Sequence, residues 1–301
     1  MIKSITVTNY LGDSIVLELG RPEESGLLIK NITGIGAPKA DINTTEISTN
    51  DGSLFNSSRL EQRNIVFTIN FLFKETVEDA RQLTYKYFPI KKNVTLLFET
   101  DNRICSIVGY VEKNDPGVFS KAESTQISII CPDPYFYSNA LQTTIFYGVE
   151  PMFEFPFENN STTEKLIELG TIRNETERYI NYNGDSEIGL QIRIHTIGEA
   201  SGISIYNIKT REEMDIDTDK LIALTGKGLI ASDDIIINTF TGMKSVTLVR
   251  EGISTNILNC LTRNPSWFRL TKGDNVFAYT AKTGEANLQF RIENKIIYEG
   301  I

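Results

Sequence analysis

Residues 65–73 read IVFTINFLF, and after a short break residues 76–88 read TVEDARQLTYKYF. In the first stretch apolar residues alternate with polar or small ones, the period-two signature of a strand with one face in a core. In the second, Val77, Ala80, Leu83, Tyr87 and Phe88 fall at helical spacing. Glu78 and Asp79 stand in its first turn, Lys86 near its end, and Pro89 closes it. The pair therefore predicts a half-buried strand followed by a helix over 76–88, the one convincing helix of the chain.

Working outward, short alternating runs recur on both sides. They include Val94 to Glu99, Ile104 to Val111 and Gln126 to Cys131 in the first half. In the second they include Leu190 to Ile197, Ile203 to Ile208, Ile235 to Thr239, Val246 to Val249, Val276 to Thr280, Leu288 to Ile292 and Ile296 to Tyr298. Composition agrees. The 301 residues hold 39 Ile, 12 Val and 30 Thr against 11 Ala and 23 Leu. Side chains stiff at χ1 lose freedom in a helix and pack well on a pleated sheet, so this excess points to a mainly β protein and excludes a helical bundle.

The length suggests two domains, each able to bury its own core. The boundary falls at Cys131-Pro132-Asp133-Pro134, where two prolines that cannot donate to a ladder stop the preceding strand. The expected domains are 1–134 and 135–301. Between Asn31 and Arg63 the chain is rich in Gly, Asn, Thr and Ser, with an Asp51-Gly52 turn signal, and reads as a surface loop or an arm ordered on a partner.

The net charge of −9 argues against a nucleic-acid binder that works by neutralising phosphates. The opening residues lack the apolar core of a signal peptide, and no stretch has the roughly 20 apolar residues of a membrane span, so synthesis in the cytoplasm is expected. Cys105, Cys131 and Cys260 are scattered and odd in number, which suits unpaired thiols acting as small hydrophobes.

Chemical motifs are weak. His195, the sole histidine, alternates with Gln191 and Arg193 and reads as a solvent-facing strand residue rather than a general base. Gly226-Lys-Gly228-Leu-Ile-Ala231 matches a dinucleotide fingerprint by letters, but a strand follows where the motif requires a helix. Asp215, Asp217 and Asp219 resemble the start of a calcium loop, yet its sixth-position glycine and twelfth-position glutamate are absent, leaving an acidic strand edge or turn. Trp267 could stack on a sugar if exposed, but reads better as a sandwich core anchor. No catalytic, cofactor-binding or metal-binding residue is nominated.

Several elements in order resemble the distal tail protein family of long-tailed phages of Gram-positive bacteria. They are Asn9-Tyr-Leu-Gly12, the strand from Arg63 with its following helix, Cys131-Pro-Asp-Pro-Tyr-Phe136, Ser266-Trp-Phe-Arg-Leu-Thr-Lys-Gly-Asp-Asn275, and the closing Asn294 to Ile301. The resemblance implies an N-terminal β-sandwich or barrel-like domain with one helix that builds a ring, and a C-terminal galectin-like β-sandwich facing outward. It implies a structural virion protein of the tail tip and no enzyme. The implied partners are copies of itself in a hexameric ring, stacked or not as a dodecamer, the tail tube protein, the tail-associated lysin or fibre hub, and a receptor-binding protein. DNA would pass the lumen without specific binding, helped by like charge. On this resemblance the helix and the Asn31 to Arg63 arm are inter-subunit elements, and Val276 to Ile301 closes the outer sandwich. At 301 residues there is no room for an inserted sugar-binding module. The competing reading is a free-standing carbohydrate-binding β-sandwich that recognises cell-wall polysaccharide.

Overall fold

The structure, a computed structural model, describes residues 1–48, 51–72, 76–117, 123–151 and 170–301. The chain divides into two compact units, residues 1–140 with 297–301, and residues 141–296.

The first unit opens with β1 (Ile2–Asn9), β2 (Ser14–Glu18), a single turn α1 (Pro22–Ser25) and β3 (Leu27–Thr33). A hairpin of β4 (Ala40–Glu46) and β5 (Ser53–Leu60) follows, then β6 (Arg63–Phe71), α2 (Val77–Tyr87), β7 (Asn93–Thr100), β8 (Ile104–Pro116), β9 (Ser124–Cys131) and β10 (Phe136–Ser138). One antiparallel sheet runs in the order β2-β1-β7-β8-β9-β6-β3, with β10 paired to β8. Its inward residues alternate as the sequence pattern requires: Ile65, Phe67, Ile69 and Phe71 on β6 meet Ile127, Ile129 and Cys131 on β9, all nearly or fully buried. Each fully buried phenylalanine is worth about 1.5–3 kcal/mol of transfer free energy.

Helix α2 closes this core with Ala80 and Thr84, while Phe88 just beyond it lies 6.0 Å from the ring of Phe67. It starts where the sequence says it should. Thr76 stays extended, and its hydroxyl accepts the main-chain N–H of Asp79 at 3.2 Å while donating to that residue's carboxylate at 2.7 Å.

The end of the chain returns to this unit. Ile297–Tyr298 pairs with β10, Tyr298 opposite Phe136. Residues 135–140 and 297–301, which the sequence reading gives to the second domain, thus lie in the first unit. Val276 to Ile301 does not close the second unit as one piece, because the sheet hydrogen bonds of Ile297–Tyr298 go to β10.

The second unit holds β11 (Gln142–Ile145), β12 (Tyr147–Pro151), β13 (Gly170–Asn174), β14 (Glu177–Tyr182), β15 (Gln191–Thr196), β16 (Ser201–Asn207), β17 (Glu212–Ile216), α3 (Thr218–Thr225), β18 (Asp234–Asn238), β19 (Ser245–Arg250), β20 (Ile253–Asn256), β21 (Gly273–Thr283) and β22 (Leu288–Asn294). A six-stranded sheet β11-β22-β15-β18-β19-β20 and a four-stranded sheet β14-β21-β16-β17 share one core, and β12 pairs with β13. The sheets meet through aromatic rings: Tyr279 on β21 stacks on Phe290 on β22 at 4.6 Å, and Phe146 lies edge-on to both. This is a β-sandwich, and the whole chain is mainly β.

Three sequence readings change here. Helix α3 breaks the all-strand expectation for the second half. Asp217 caps it, accepting the N–H groups of Asp219 and Lys220 at 3.0 and 3.3 Å, and Gly226 ends it at φ +77°. The acidic triplet is therefore split: Asp215 ends up on the edge strand β17 while Asp217 starts a helix, and Gly226 serves a helix stop. Third, Trp267 is only half-buried, whereas its neighbour Phe268 is fully buried and packs edge-on to Phe277 at 5.6 Å. Phe268 is the core anchor.

Candidate functional site: an exposed hairpin rooted on a buried arginine

The hairpin β4–β5 is the feature of the first unit that its own core does not explain. Its strands pair from Ala40 opposite Leu60 to Glu46 opposite Ser53, with a bulge between Asn43 and Thr44. Asp41 faces Arg59 across the ladder, the carboxylate 3.1 Å from the guanidinium, and the Asn56 amide donates to the Thr45 hydroxyl at 2.6 Å. Both strands are exposed along nearly their whole length, including Ile42 at 60%, Leu54 at 58% and Phe55 at 61%. Ile42 and Thr44 alternate onto one face, and Thr44 stands opposite Phe55, so Ile42 and Phe55 share that face. An isolated two-stranded hairpin in water is marginal, and three large apolar side chains on it favour burial against something else.

The root of the hairpin is held firmly. Arg63, 4% exposed, donates from Nε to the carbonyl of Pro134 at 2.7 Å and from Nη1 to Gly34 and Gly36 at 2.6 and 2.5 Å. Its Nη2 donates to Glu299 at 2.7 Å. Its guanidinium also lies 4.6 Å from the ring centre of Phe136. Burial pulls its pKa below the ordinary arginine value, and four carbonyl dipoles take the place of a carboxylate. Gly34 adopts φ +82°, and a Cβ there would stand 1.9 Å from the carbonyl oxygen of Asn64. Ile301 adds a main-chain bond to Ile35 at 3.1 Å.

Beside it, α2 and α1 border a recess of about 560 Å³ lined by Leu72, Ala80 and Leu83 with Ser25, Gly26 and Lys86 at its rim. Arg81 on α2 reaches Glu123 at 3.3 Å, and the Asn114 amide joins Thr84 to Thr125.

His195 sits on the partly exposed face of β15, its Nδ1 2.9 Å from an Asp234 oxygen across the ladder. Among the described residues no group of three His, Cys, Asp or Glu side chains is placed to hold a metal, and no helix is long and apolar enough to cross a membrane. The three cysteines are unpaired and buried. Within the stretch from Asn31 to Arg63, residues 40–46 and 53–60 form a paired hairpin. Residues 53–60, SLFNSSRL, carry no period-two alternation, so the strand had no local signal there.

No family model matches the sequence, and no curated protein matches it. Solved structures do. The Dit protein (gp 19.1) of phage SPP1, described as a paradigm of the hub adsorption apparatus in Gram-positive infecting phages, superposes with a TM-score of 0.66 at 12% identity over 97% of this chain and 98% of its own. A chain of the phage P2 baseplate in its activated conformation with calcium gives 0.53 at 13% identity over 100% of both. The phage p2 baseplate with strontium gives 0.50 at 15% identity over 97% of both. The likeness covers nearly the whole chain, and the protein has the fold of phage baseplate hub proteins.

Proposed function

We propose that the protein is a structural component of a phage tail tip, a distal tail hub that assembles as a hexameric ring, single or stacked as a dodecamer. In this reading the ring joins the tail tube to a tail-associated lysin or fibre and carries receptor-binding proteins, and DNA crosses its lumen without specific contacts. The first unit, 1–140 with the returning 297–301, builds the ring; the second decorates it. The observation that carries the reading is the whole-length correspondence with the SPP1 hub protein. The exposed Ile42, Leu54 and Phe55 give it a physical motive. Packed on a neighbouring copy they bury apolar surface that the monomer leaves in water, and a head-to-tail contact of this kind closes into a ring when the rotation permits.

Light scattering on the purified protein tests it. The expected species is a ring of many times the 33.9 kDa chain mass, and the double substitution Ile42→Asp with Phe55→Asp returns it to monomer with an unchanged circular dichroism spectrum. A wild-type monomer at high concentration sinks the ring, and a monomer whose elution shifts with cell-wall polysaccharide selects the free-standing carbohydrate-binding module instead. No peptidoglycan lysis is expected.

A further inference from the structure

One end of the first unit carries exposed apolar side chains rimmed by lysines. The turn after β1 and the turn between α2 and β7 lie side by side there. The Asn9 amide donates to the carbonyl of Lys86 at 3.1 Å, and the Nζ of Lys92 stands 5.2 Å from the centre of the Tyr10 ring. Tyr10, Leu11 and Ile90 are exposed on these turns. Residues 9–13 and 86–92 hold Lys86, Lys91 and Lys92 against one acid, Asp13, whose carboxylate is 3.5 Å from Lys86. The hairpin has the opposite sign. Residues 40–60 hold Asp41, Glu46 and Asp51 against Arg59 alone, beside the exposed Ile42, Ile47, Leu54 and Phe55.

The ladders send the two surfaces apart. Arg63 of β6 pairs with Cys131 of β9, Tyr110 of β8 pairs with Ile130 on one side and Asn93 on the other, and Val94 of β7 pairs with Asn9. The hairpin leaves β6 ahead of Arg63. Followed through these four antiparallel ladders, the turns after Asn9 and before Asn93 leave in the opposite direction. A hairpin therefore meets a lysine-rimmed end on another copy and not on its own.

We propose that this end seats the hairpin of the neighbouring copy, with Ile42, Leu54 and Phe55 packed on Tyr10, Leu11 and Ile90 while Glu46 and Asp51 face Lys91 and Lys92. The contact rests on the ring reading and supplies the second surface that a ring needs. Two unlike patches on one chain join head-to-tail, the kind of contact that closes into a ring. The rival self-contacts about a two-fold axis, end on end or hairpin on hairpin, would set lysines on lysines or acids on acids.

Light scattering on the full chain over a dilution series reads the contact. Lys91→Glu with Lys92→Glu is expected to raise the concentration at which half of the chain is assembled by roughly tenfold or more, with an unchanged circular dichroism spectrum. Adding Glu46→Lys and Asp51→Lys to that variant should bring the concentration back to within about threefold of wild type, a rescue that misfolding does not give. A short-spacer bismaleimide should join Lys92→Cys chains to Glu46→Cys chains in a mixed assembly and join neither kind to itself, the native cysteines being buried. A wild-type chain that stays monomeric overturns the ring reading and this contact together. A wild-type assembly that survives the lysine reversal, is not rescued by the acid reversal, or gives no mixed cross-link overturns this contact and leaves the ring standing.

Discussion

Arg63 and Glu299, 236 residues apart, are joined by a 2.7 Å bond from the guanidinium Nη2 to the main-chain oxygen of Glu299. The same guanidinium reaches the carbonyls of Gly34, Gly36 and Pro134, so the start of the hairpin root, the end of the first stretch of chain and the C-terminus meet on one charged side chain.

Deleting residues 297–301 should therefore destabilise the first unit. It removes an acceptor from an arginine that is 4% exposed, together with the pairing of Tyr298 with Phe136 and the bond from Ile301 to Ile35. An unsatisfied buried donor on a charged group costs about 1–3 kcal/mol or more, and the lost strand adds to it. Urea unfolding of the full and shortened chains is the measurement, with an unchanged midpoint as the refuting result. Arg63→Lys should cost a similar amount, since three donors cannot serve four carbonyls in the arginine's planar geometry.

The second unit should be far more sensitive at Phe290 than at Trp267. Phe290 is fully buried and stacks on Tyr279 between the two sheets, so Phe290→Ala is expected to cost about 3–5 kcal/mol. Trp267 is half-buried at the edge of a groove, and Trp267→Ala should cost less than about 1.5 kcal/mol. Thermal melts by circular dichroism separate the two, and equal losses would restore Trp267 to the core.

The β class and α2 were legible because each rests on local periodicity. The alternation of Ile65, Phe67, Ile69 and Phe71 needs no knowledge of partners, and Thr76 and Pro89 mark the helix ends. Helix α3 was not legible: over Thr218–Thr225 only Thr218 and Leu221 are buried, so the apolar stripe is too thin to read. Its cap, Asp217, and its stop, Gly226, stand inside letters that resemble a calcium loop and a dinucleotide fingerprint; rejecting those two motifs does not by itself reveal a helix between them. The return of Ile297–Tyr298 to β10 depends on a pairing across more than half the chain, which no local pattern encodes. Trp267 and Phe268 show a parity problem: adjacent aromatic residues in irregular chain do not announce which one points inward.

Gly34→Ala should be worse than Gly12→Ala although both glycines have positive φ. At Gly12, φ +90°, an added Cβ meets nothing within 4 Å, so only the backbone preference is lost, about 1 kcal/mol. At Gly34 the Cβ would overlap the carbonyl oxygen of Asn64 at 1.9 Å, and the root of the hairpin must move. Hydrogen exchange over residues 33–46 should rise in Gly34→Ala and stay at the wild-type level in Gly12→Ala; equal exchange in both would show that the root is not fixed there.

Alkaline pH should weaken the fold through groups that stay protonated only when buried. Burial pushes Cys131 and Tyr279 up to about 12 from their ordinary 9 and 10, and Cys105 to about 11. Between the unfolded and folded values the unfolded chain has released these protons while the native chain still holds them. Stability is therefore full below about pH 9 and falls as pH rises toward 12, the opposite sign to a salt-bridged carboxylate. Denaturant midpoints at pH 8, 9.5 and 10.5 should decline in that order. Cys131→Ala should flatten the slope while lowering the starting value, because it removes the titrating thiol and leaves a small cavity. The same burial predicts that a thiol reagent at pH 8 labels neither Cys105 nor Cys131 in the native protein and labels both once urea exposes them. Prompt native labelling of either would show that the core opens on a timescale its packing does not allow.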